Sequence, residues 1–353
     1  MNYNILCINP GSTSTKIALY NGTNLVFNDN IEHTSDELTF NNNELKYRVN
    51  IINSTLSKHK VNLLDLSAVV GRGGLIPNIH AGGYIVDNAL KQLILSGKLS
   101  PHPSNFGALL ADEIASPLGI TAYIYDAVSS NEFDEIATIT GFPEIKRESL
   151  CHVLNMKATG RKIAEKHNKK YEELNLIIAH LGGGISIGVH KKGKIIDAIR
   201  DDSGPFSPQR SGNIPLMYII DICYSEKFSK EEMQKKIRGF SGIKAHLGTD
   251  DCRIVERMIN EGNEKAKLIY EAEAYQIAKG IGEMAPVLNG KIDYIILTGG
   301  MAYSKMMTKM IHKRIEFLAP VEISPGENEM EALALGCMRI LKGEEKASVW
   351  KKK

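Results

Sequence analysis

Ile5-Leu-Cys-Ile-Asn-Pro-Gly-Ser-Thr-Ser-Thr-Lys-Ile-Ala-Leu-Tyr20 is the stretch on which the fold turns. An apolar, partly β-branched run enters a loop of small hydroxyl residues between Pro10 and Lys16, and a second apolar run leaves it for a turn at Asn21-Gly22. The order is strand, polar loop, strand, turn, with Leu25, Val26 and Phe27 returning on the far side of a hairpin. A Walker-type loop or a dinucleotide fingerprint runs from a strand into a helix whose first amides face the phosphate, and this chain goes back into a strand instead. A hydroxyl-rich hairpin loop can still offer amides, hydroxyls and Lys16 to a phosphate. An ordinary surface hairpin reads the same way.

Working outward, 353 residues suggest two domains of about 150 to 200 residues. The chain is 43% apolar and 24% charged, an ordinary globular composition. Its net charge of +2, with both signs interspersed, calls for neither nucleic acid nor a membrane surface. Only Lys351-Lys352-Lys353 is a charge run, read as a solvated end. Five scattered cysteines without metal-ligand spacing fit reduced thiols in a cytoplasmic protein. No signal-peptide pattern or membrane-length apolar run is expected.

Residues 29–60, polar and Asn-rich, predict edge strands and one helix. Ser67-Ala-Val-Val-Gly-Arg-Gly-Gly74 predicts a buried strand that delivers Arg72 to a glycine-rich turn, either at the mouth of a cleft or in a surface loop. His102 is held between two prolines, ahead of a helix capped by Ser104 with Phe106, Leu109, Leu110 and Ile114 on its apolar face. Asp126 ends a β-rich run, where it could serve magnesium, catalysis or simply a turn. His152 starts the next helix, and the domain junction is placed near it.

The opening pattern then returns. Leu176-Ile-Ile-Ala-His180-Leu-Gly-Gly-Gly-Ile-Ser-Ile-Gly-Val189 is again strand, small-residue loop and strand, turning at Lys192-Gly193. Self-similarity near half the chain length points to a duplicated fold with one phosphate loop per half. A charged loop carries Arg210, a capping box is expected at Ser229 and Glu232, and residues 241–253 predict a polar loop. Thr298-Gly299-Gly300-Met301 follows a strand and could let a flat ring lie against backbone.

Two hairpin phosphate loops, a late Thr-Gly-Gly loop and two halves around a cleft resemble the sugar kinase, Hsp70 and actin superfamily. More specifically, the chain resembles the acetate and butyrate kinase family, and at this length its butyrate kinase branch. The resemblance covers essentially the whole chain and rests on Ile8–Lys16 and His180–Gly188, with Gly71-Arg-Gly-Gly, Tyr125-Asp, Arg210-Ser-Gly and Thr298-Gly-Gly in family order. It implies an α/β fold of duplicated ribonuclease H-like domains, with mixed sheets flanked by helices and an active site in the interdomain cleft. Residues 1–150 plus 326–353 would form the acyl-substrate side and residues 151–325 the nucleotide side.

The implied reaction is reversible, ATP-dependent phosphorylation of butyrate, giving butyryl phosphate and ADP with Mg2+. In that resemblance Asn9 sits near the transferred phosphate, and Arg72 and Arg210 surround the substrate carboxylate. Asp126 is the acidic residue of the cleft, His102 follows a proline-bounded loop, and His152 lies near the phosphoryl group. The phosphates of ATP fall to Ser12, Lys16, His180, Gly182, Gly183 and Gly184. Asp251, Cys252, Arg253, Gly299, Gly300 and Met301 match the adenosine side. Asp126 with Glu327 or Glu329 would support magnesium. Gly73 and Gly74 are expected to leave room for a substrate longer than acetate. Relatives imply a homodimer or higher homo-oligomer. Three alternatives stay open: an acetate, propionate or branched-chain acid kinase, a non-catalytic ATP-binding switch, and a sugar kinase using Asp126 as base.

Overall fold

The computed structural model describes residues 2–34 and 42–352. Residues 35–41 of the polar segment, and Lys353 of the basic end, lie outside the described residues. The chain forms two compact units, Met1–Asn131 with Asn328–Lys353, and Glu132–Glu327.

The first unit holds β1 (Asn4–Pro10), β2 (Ser14–Asn21), β3 (Asn24–Glu32), β4 (Ala68–Arg72), β5 (Gly83–Ile85) and β6 (Thr121–Tyr125). With a short final strand, Ser348–Val349, they make a seven-stranded sheet in which β6, β4, β1, β2 and β3 lie side by side in that order. Ile5, Leu6, Cys7 and Ile8 are all fully buried. β1 is central and covered on both faces, by the helix Phe106–Ala115 and by the C-terminal helix Glu329–Leu341, so its run is continuously apolar rather than alternating. The unit's other helices are α1 (Asn42–Lys58) and α2 (Asn88–Leu95), and Phe106–Ala115 is α3. Phe106, Leu109, Leu110 and Ile114 are buried on α3 as their spacing predicts. The cap differs from expectation: a 3-10 turn, Pro103–Asn105, comes first, and the His102 ring, not Ser104, accepts its leading amide.

The second unit holds β7 (Asn175–Leu181), β8 (Ile185–Lys191), β9 (Lys194–Ile199), β10 (Tyr294–Gly299) and β11 (Val321–Pro325), ordered β11, β10, β7, β8, β9. This is the order of β6, β4, β1, β2, β3. In both units the first strand runs antiparallel to the second and parallel to the fourth. Both hairpins also carry a register shift between their second and third strands, at Leu19/Tyr20 and at Val189/His190. The duplication is therefore one of topology as well as of motif.

The helices of this unit are α4 (Val153–Lys166), α5 (Leu216–Cys223), α6 (Lys230–Ile237), α7 (Gly242–Leu247), α8 (Cys252–Asn260), α9 (Glu264–Met284) and α10 (Lys305–Ile315). The capping box at Ser229 and Glu232 is present. Residues 241–253 are not simply a loop. Ile243 is fully buried and Gly242 lies so tightly on the 207–210 backbone that a Cβ would meet the Ser207 carbonyl, which folds this polar stretch into α7. None of the five cysteines is in a disulfide. Among the described residues no helix is long and apolar enough to cross a membrane.

Candidate active site

In the first unit the sheet's central strands end together, and their last residues converge. Asn9 lies near the end of β1, and its Nδ2 donates to Glu329 Oε2 at 2.6 Å. Arg72 closes β4, with Nη1 2.7 Å from Glu329 Oε1. Glu329 opens the C-terminal helix and is only 7% exposed. An amide donor and a guanidinium thus meet its two oxygens at the first turn of that helix. Arg72 Nε is buried and has no hydrogen-bond partner among the described residues. The fork thus holds Glu329 on one side and keeps a donor for a further acceptor. Lys16 is the cross-strand partner of Asn9, which puts both on one face of the sheet. Ser12 is exposed at the tip of the loop.

Asp126 follows β6 in a left-handed backbone conformation, φ +42, rare for a residue with a Cβ. Its surroundings hold it there: Oδ1 accepts the Gly82 amide at 2.8 Å while its own amide donates to the Gly82 carbonyl at 3.1 Å. His102 also stands close to Arg72. Burial, and then the Arg72 charge, lower its pKa from 6.5 to about 4, so the ring is neutral at physiological pH. An unfolded His102 takes up a proton that the folded one refuses, so stability should fall as pH drops from about 6.5 to about 4. Calorimetric Tm values for His102→Gln should decline less over that window than those of the parent; parallel curves would show that His102 contributes nothing there.

The expectation that Gly73 and Gly74 leave room for substrate needs correction. A Cβ at Gly73 would lie 2.5 Å from Ala127 Cβ, and one at Gly74 would lie 2.1 Å from Asn105 Oδ1. The space beside both is filled by protein, and their lack of a side chain serves close backbone packing.

In the second unit His180, near the end of β7, is 1% exposed. Its Nδ1 lies 2.9 Å from Asn155 Oδ1, and Asn155 Nδ2 donates to the Gly326 carbonyl at 3.3 Å. That orientation makes Nδ1 the donor. His180 Nε2 is buried without a hydrogen-bond partner among the described residues and lies 3.4 Å from Glu327 Oε1. His152 stacks on His180 with ring centroids 3.8 Å apart, and its Nδ1 is 2.8 Å from Ser186 Oγ.

The Gly182-Gly183-Gly184 turn is anchored by its carbonyl: Gly183 O accepts from Ser207 Oγ at 2.6 Å and from the Gln209 amide at 3.2 Å. A planar trans peptide directs the Gly184 N–H the opposite way. Arg210, expected with Arg72 around one carboxylate, belongs to the second unit, where its Nε donates to Asp201 Oδ2 at 3.2 Å beside Gly184.

A cavity of about 680 Å³ opens next to this turn. Gly182, Gly183, Asp251, Cys252, Arg253, Gly300 and Met301, which the family resemblance assigns to ATP, line it together with Glu327, which it assigns to magnesium. The paired glycines differ. Gly299 has φ +89 and a Cβ there would meet the Leu181 carbonyl at 2.4 Å, whereas nothing lies within 4 Å of a Cβ at Gly300. Gly299 joins strands, and Gly300 is the open floor. Asp251 caps α8 by accepting the Arg253 amide at 2.9 Å, and its bonds to Arg253 hold its pKa down at about 2.

Sequence reasoning missed the far wall, Glu256, Tyr303 and Ser304. Glu256 accepts from Tyr270 Oη at 2.8 Å and also from the Ser304 hydroxyl. Its signal was available, since Glu256 stands one helical turn after Cys252.

Among the described residues no three His, Cys, Asp or Glu side chains gather as a metal cage. Asp126 and Glu329 are engaged by protein donors, and Glu327, 42% exposed, faces the cavity. A magnesium ion that keeps mostly water and phosphate ligands needs only one or two carboxylates in support, which either unit's carboxylate can supply.

A family model described as the acetokinase family matches residues 150–338. The chain belongs to the acetokinase family. Among curated members it is 44% identical over 352 residues to a probable butyrate kinase 2 of Caldanaerobacter subterraneus subsp. tengcongensis, covering 99% of both chains. It is 43% identical over 356 residues to butyrate kinase 2 of Clostridium acetobutylicum, covering 99% of this chain and all of that one. Of solved family structures, Porphyromonas gingivalis acetate kinase superposes with a TM-score of 0.81 at 19% identity, over 96% of this chain and 100% of that one, a likeness of fold.

Proposed function

We propose that this acetokinase-family chain transfers the γ-phosphoryl group of ATP reversibly to a short-chain carboxylate, with butyrate or a branched C4 to C5 acid preferred over acetate. What carries the reading is identity above 40% along the entire chain to two proteins named as butyrate kinases. With the space beside Gly73 and Gly74 filled, the preference for a longer acid rests on those relatives and not on the glycines.

The carboxylate is already ionised at neutral pH and needs no general base. Arg72 offers its unpartnered Nε to the acid, and Asn9, set by Glu329, donates to the phosphoryl oxygens. The Gly184 amide and His180 Nε2, the latter donating once the ring takes a second proton with the nucleotide bound, hold phosphates of ATP, with the adenosine in the cavity floored by Gly300. Arg210, fixed by Asp201, and His152, stacked on His180, neutralise charge that builds on the group in transfer. A bound Mg2+ would draw charge from the phosphate oxygens, with Glu327 or Glu329 holding it through water.

Hydroxamate trapping of acyl phosphate across acetate, propionate, butyrate and isobutyrate tests this. The expected result is highest kcat/KM for a four-carbon acid, with one methylene worth about 1 to 3 kcal/mol. Highest kcat/KM for acetate would move the chain to the acetate branch, and no product at all would leave an ATP-binding switch.

We infer further that the protein works in the cytoplasm, where ATP and reduced thiols are supplied, and that it self-associates. Leu216, Met217 and Tyr218 of α5 are 72%, 68% and 65% exposed, and no residue of that apolar helix is buried. Sedimentation equilibrium should report a dimer or larger, and a monomer at micromolar concentration would refute it.

A further inference from the structure

We propose that Arg48 is a positioning residue for phosphoryl transfer, which from α1 sets the backbone of the Pro10–Thr15 loop so that the Ser12 amide faces the transferred group. The proposal rests on the kinase reading above.

Arg48 is 1% exposed, unusual for a guanidinium, and lies on a helix that sequence reasoning left without a role. Its Nε donates to Glu44 Oε1 at 2.9 Å, and Glu44, one turn earlier, is 2% exposed. The other donors converge on the loop. Nη2 reaches the Gly11 carbonyl at 2.9 Å, and Nη1 reaches the Ser14 carbonyl at 3.1 Å and Thr15 Oγ1 at 2.5 Å. His33 completes the hold: its ring is 2.8 Å from Thr15 Oγ1, and its amide donates to the Thr13 carbonyl at 2.8 Å.

The carbonyls of Gly11, Thr13 and Ser14 are therefore all occupied by protein donors. All peptide bonds among the described residues are trans. In a planar trans unit N–H and C=O point opposite ways, so fixing the Gly11 carbonyl on Arg48 turns the Ser12 N–H away from it, at the exposed tip of the loop. Asn9, which contacts Glu329, precedes this loop by one residue, and Lys16 follows it. Glu44 holds the guanidinium at the angle this requires. A buried pair serving only to dock α1 would not need three acceptors on one glycine- and serine-rich turn.

Arg48→Met should lower kcat for butyryl phosphate formation about 10- to 100-fold, as expected from misplacement by an ångström. ADP affinity, measured by titration calorimetry, should stay at the parent value. Ile52→Ala is the comparison, because Ile52 is fully buried on the same helix and touches no loop acceptor: it weakens α1 packing and should leave kcat at the parent value. Should Arg48→Met not fold, Arg48→Ala assayed with added methylguanidinium and, separately, methylammonium decides the matter. Recovery of kcat with the planar ion alone supports the proposal. Equal recovery with both, or none, overturns it, as does a kcat for Arg48→Met matching that of Ile52→Ala. A parent enzyme that makes no acyl phosphate from any acid would fail the kinase reading and this proposal with it, whereas an active parent with an unaffected Arg48→Met defeats only the latter.

Discussion

Arg72→Ala should lower kcat/KM for the carboxylate about 1,000-fold, the loss typical of an arginine that stabilises a phosphoryl-transfer transition state. ADP affinity should be unchanged, since the cavity lined by Asp251 and Gly300 belongs to the other unit. The size of the loss follows from how the guanidinium is used. Nη1 is committed to Glu329 at 2.7 Å, while Nε is buried without a partner. A buried N–H left unsatisfied costs about 1 to 3 kcal/mol. That cost is recovered when an acid binds, and an interaction strengthened in the transition state raises kcat. Arg72→Lys should recover little, because an ammonium is a point charge and cannot hold Glu329 and a substrate oxygen in one plane. Titration calorimetry with ADP and hydroxamate assays with butyrate give both quantities. An Arg72→Ala enzyme within a few-fold of the parent in kcat/KM would remove Arg72 from the acyl site.

The second large effect is expected from Glu329→Gln. This carboxylate accepts from Asn9 Nδ2 through Oε2 and from Arg72 Nη1 through Oε1. A glutamine has one carbonyl and one NH2. With its carbonyl toward Arg72 its NH2 meets Asn9, whose amide must turn over or go unpaired, and the other way round Arg72 loses its acceptor. We expect kcat to fall about 100-fold or more, the scale seen when one preorganised donor is removed from a charged transition state. Stability should drop as well, by about 1 to 3 kcal/mol in urea titrations, because a mostly buried donor is left unmatched.

Glu327→Gln is the informative companion, since Glu327 is 42% exposed where Glu329 is 7%, and its Oε1 lies 3.4 Å from His180 Nε2. It should cost little stability. The Mg2+ concentration for half-maximal rate, measured in both variants, assigns the supporting carboxylate: it rises in the variant that has lost that role. A Glu329→Gln enzyme with parental kcat and stability would mean that the Asn9–Glu329–Arg72 contact is incidental.

Much of this was legible from local pattern. The strand, loop and hairpin at Ile5–Tyr20 and its echo at Leu176–Val189 are written in apolar runs and turn residues, and a strand buried on both faces must be apolar throughout. The grouping of Asp251, Arg253, Gly300 and Met301 in one cavity was also legible through the family resemblance. Glycines were where reading failed. Gly73, Gly74, Gly299 and Gly300 look alike in sequence, yet three of them press against protein and only Gly300 opens into the cavity. The identity of a glycine records that a side chain is missing, and only its neighbours say why.

Polar residues divide in the same way. Glu327 and Glu329 are two positions apart, and nothing local separates an exposed carboxylate beside His180 from a buried one clamped by Asn9 and Arg72. Arg48 lies in an Asn-rich segment whose composition describes a solvated surface, yet it is buried against the Pro10–Thr15 loop. Sequence alone determined the repeated strand, loop and hairpin units, because hydrophobic periodicity and turn chemistry act between near neighbours. Which charges stand at those loops, and which donors remain unpaired for a ligand, only the tertiary structure decided, because burial and pairing depend on residues such as Asn9 and Glu329 that meet across nearly the whole length of the chain.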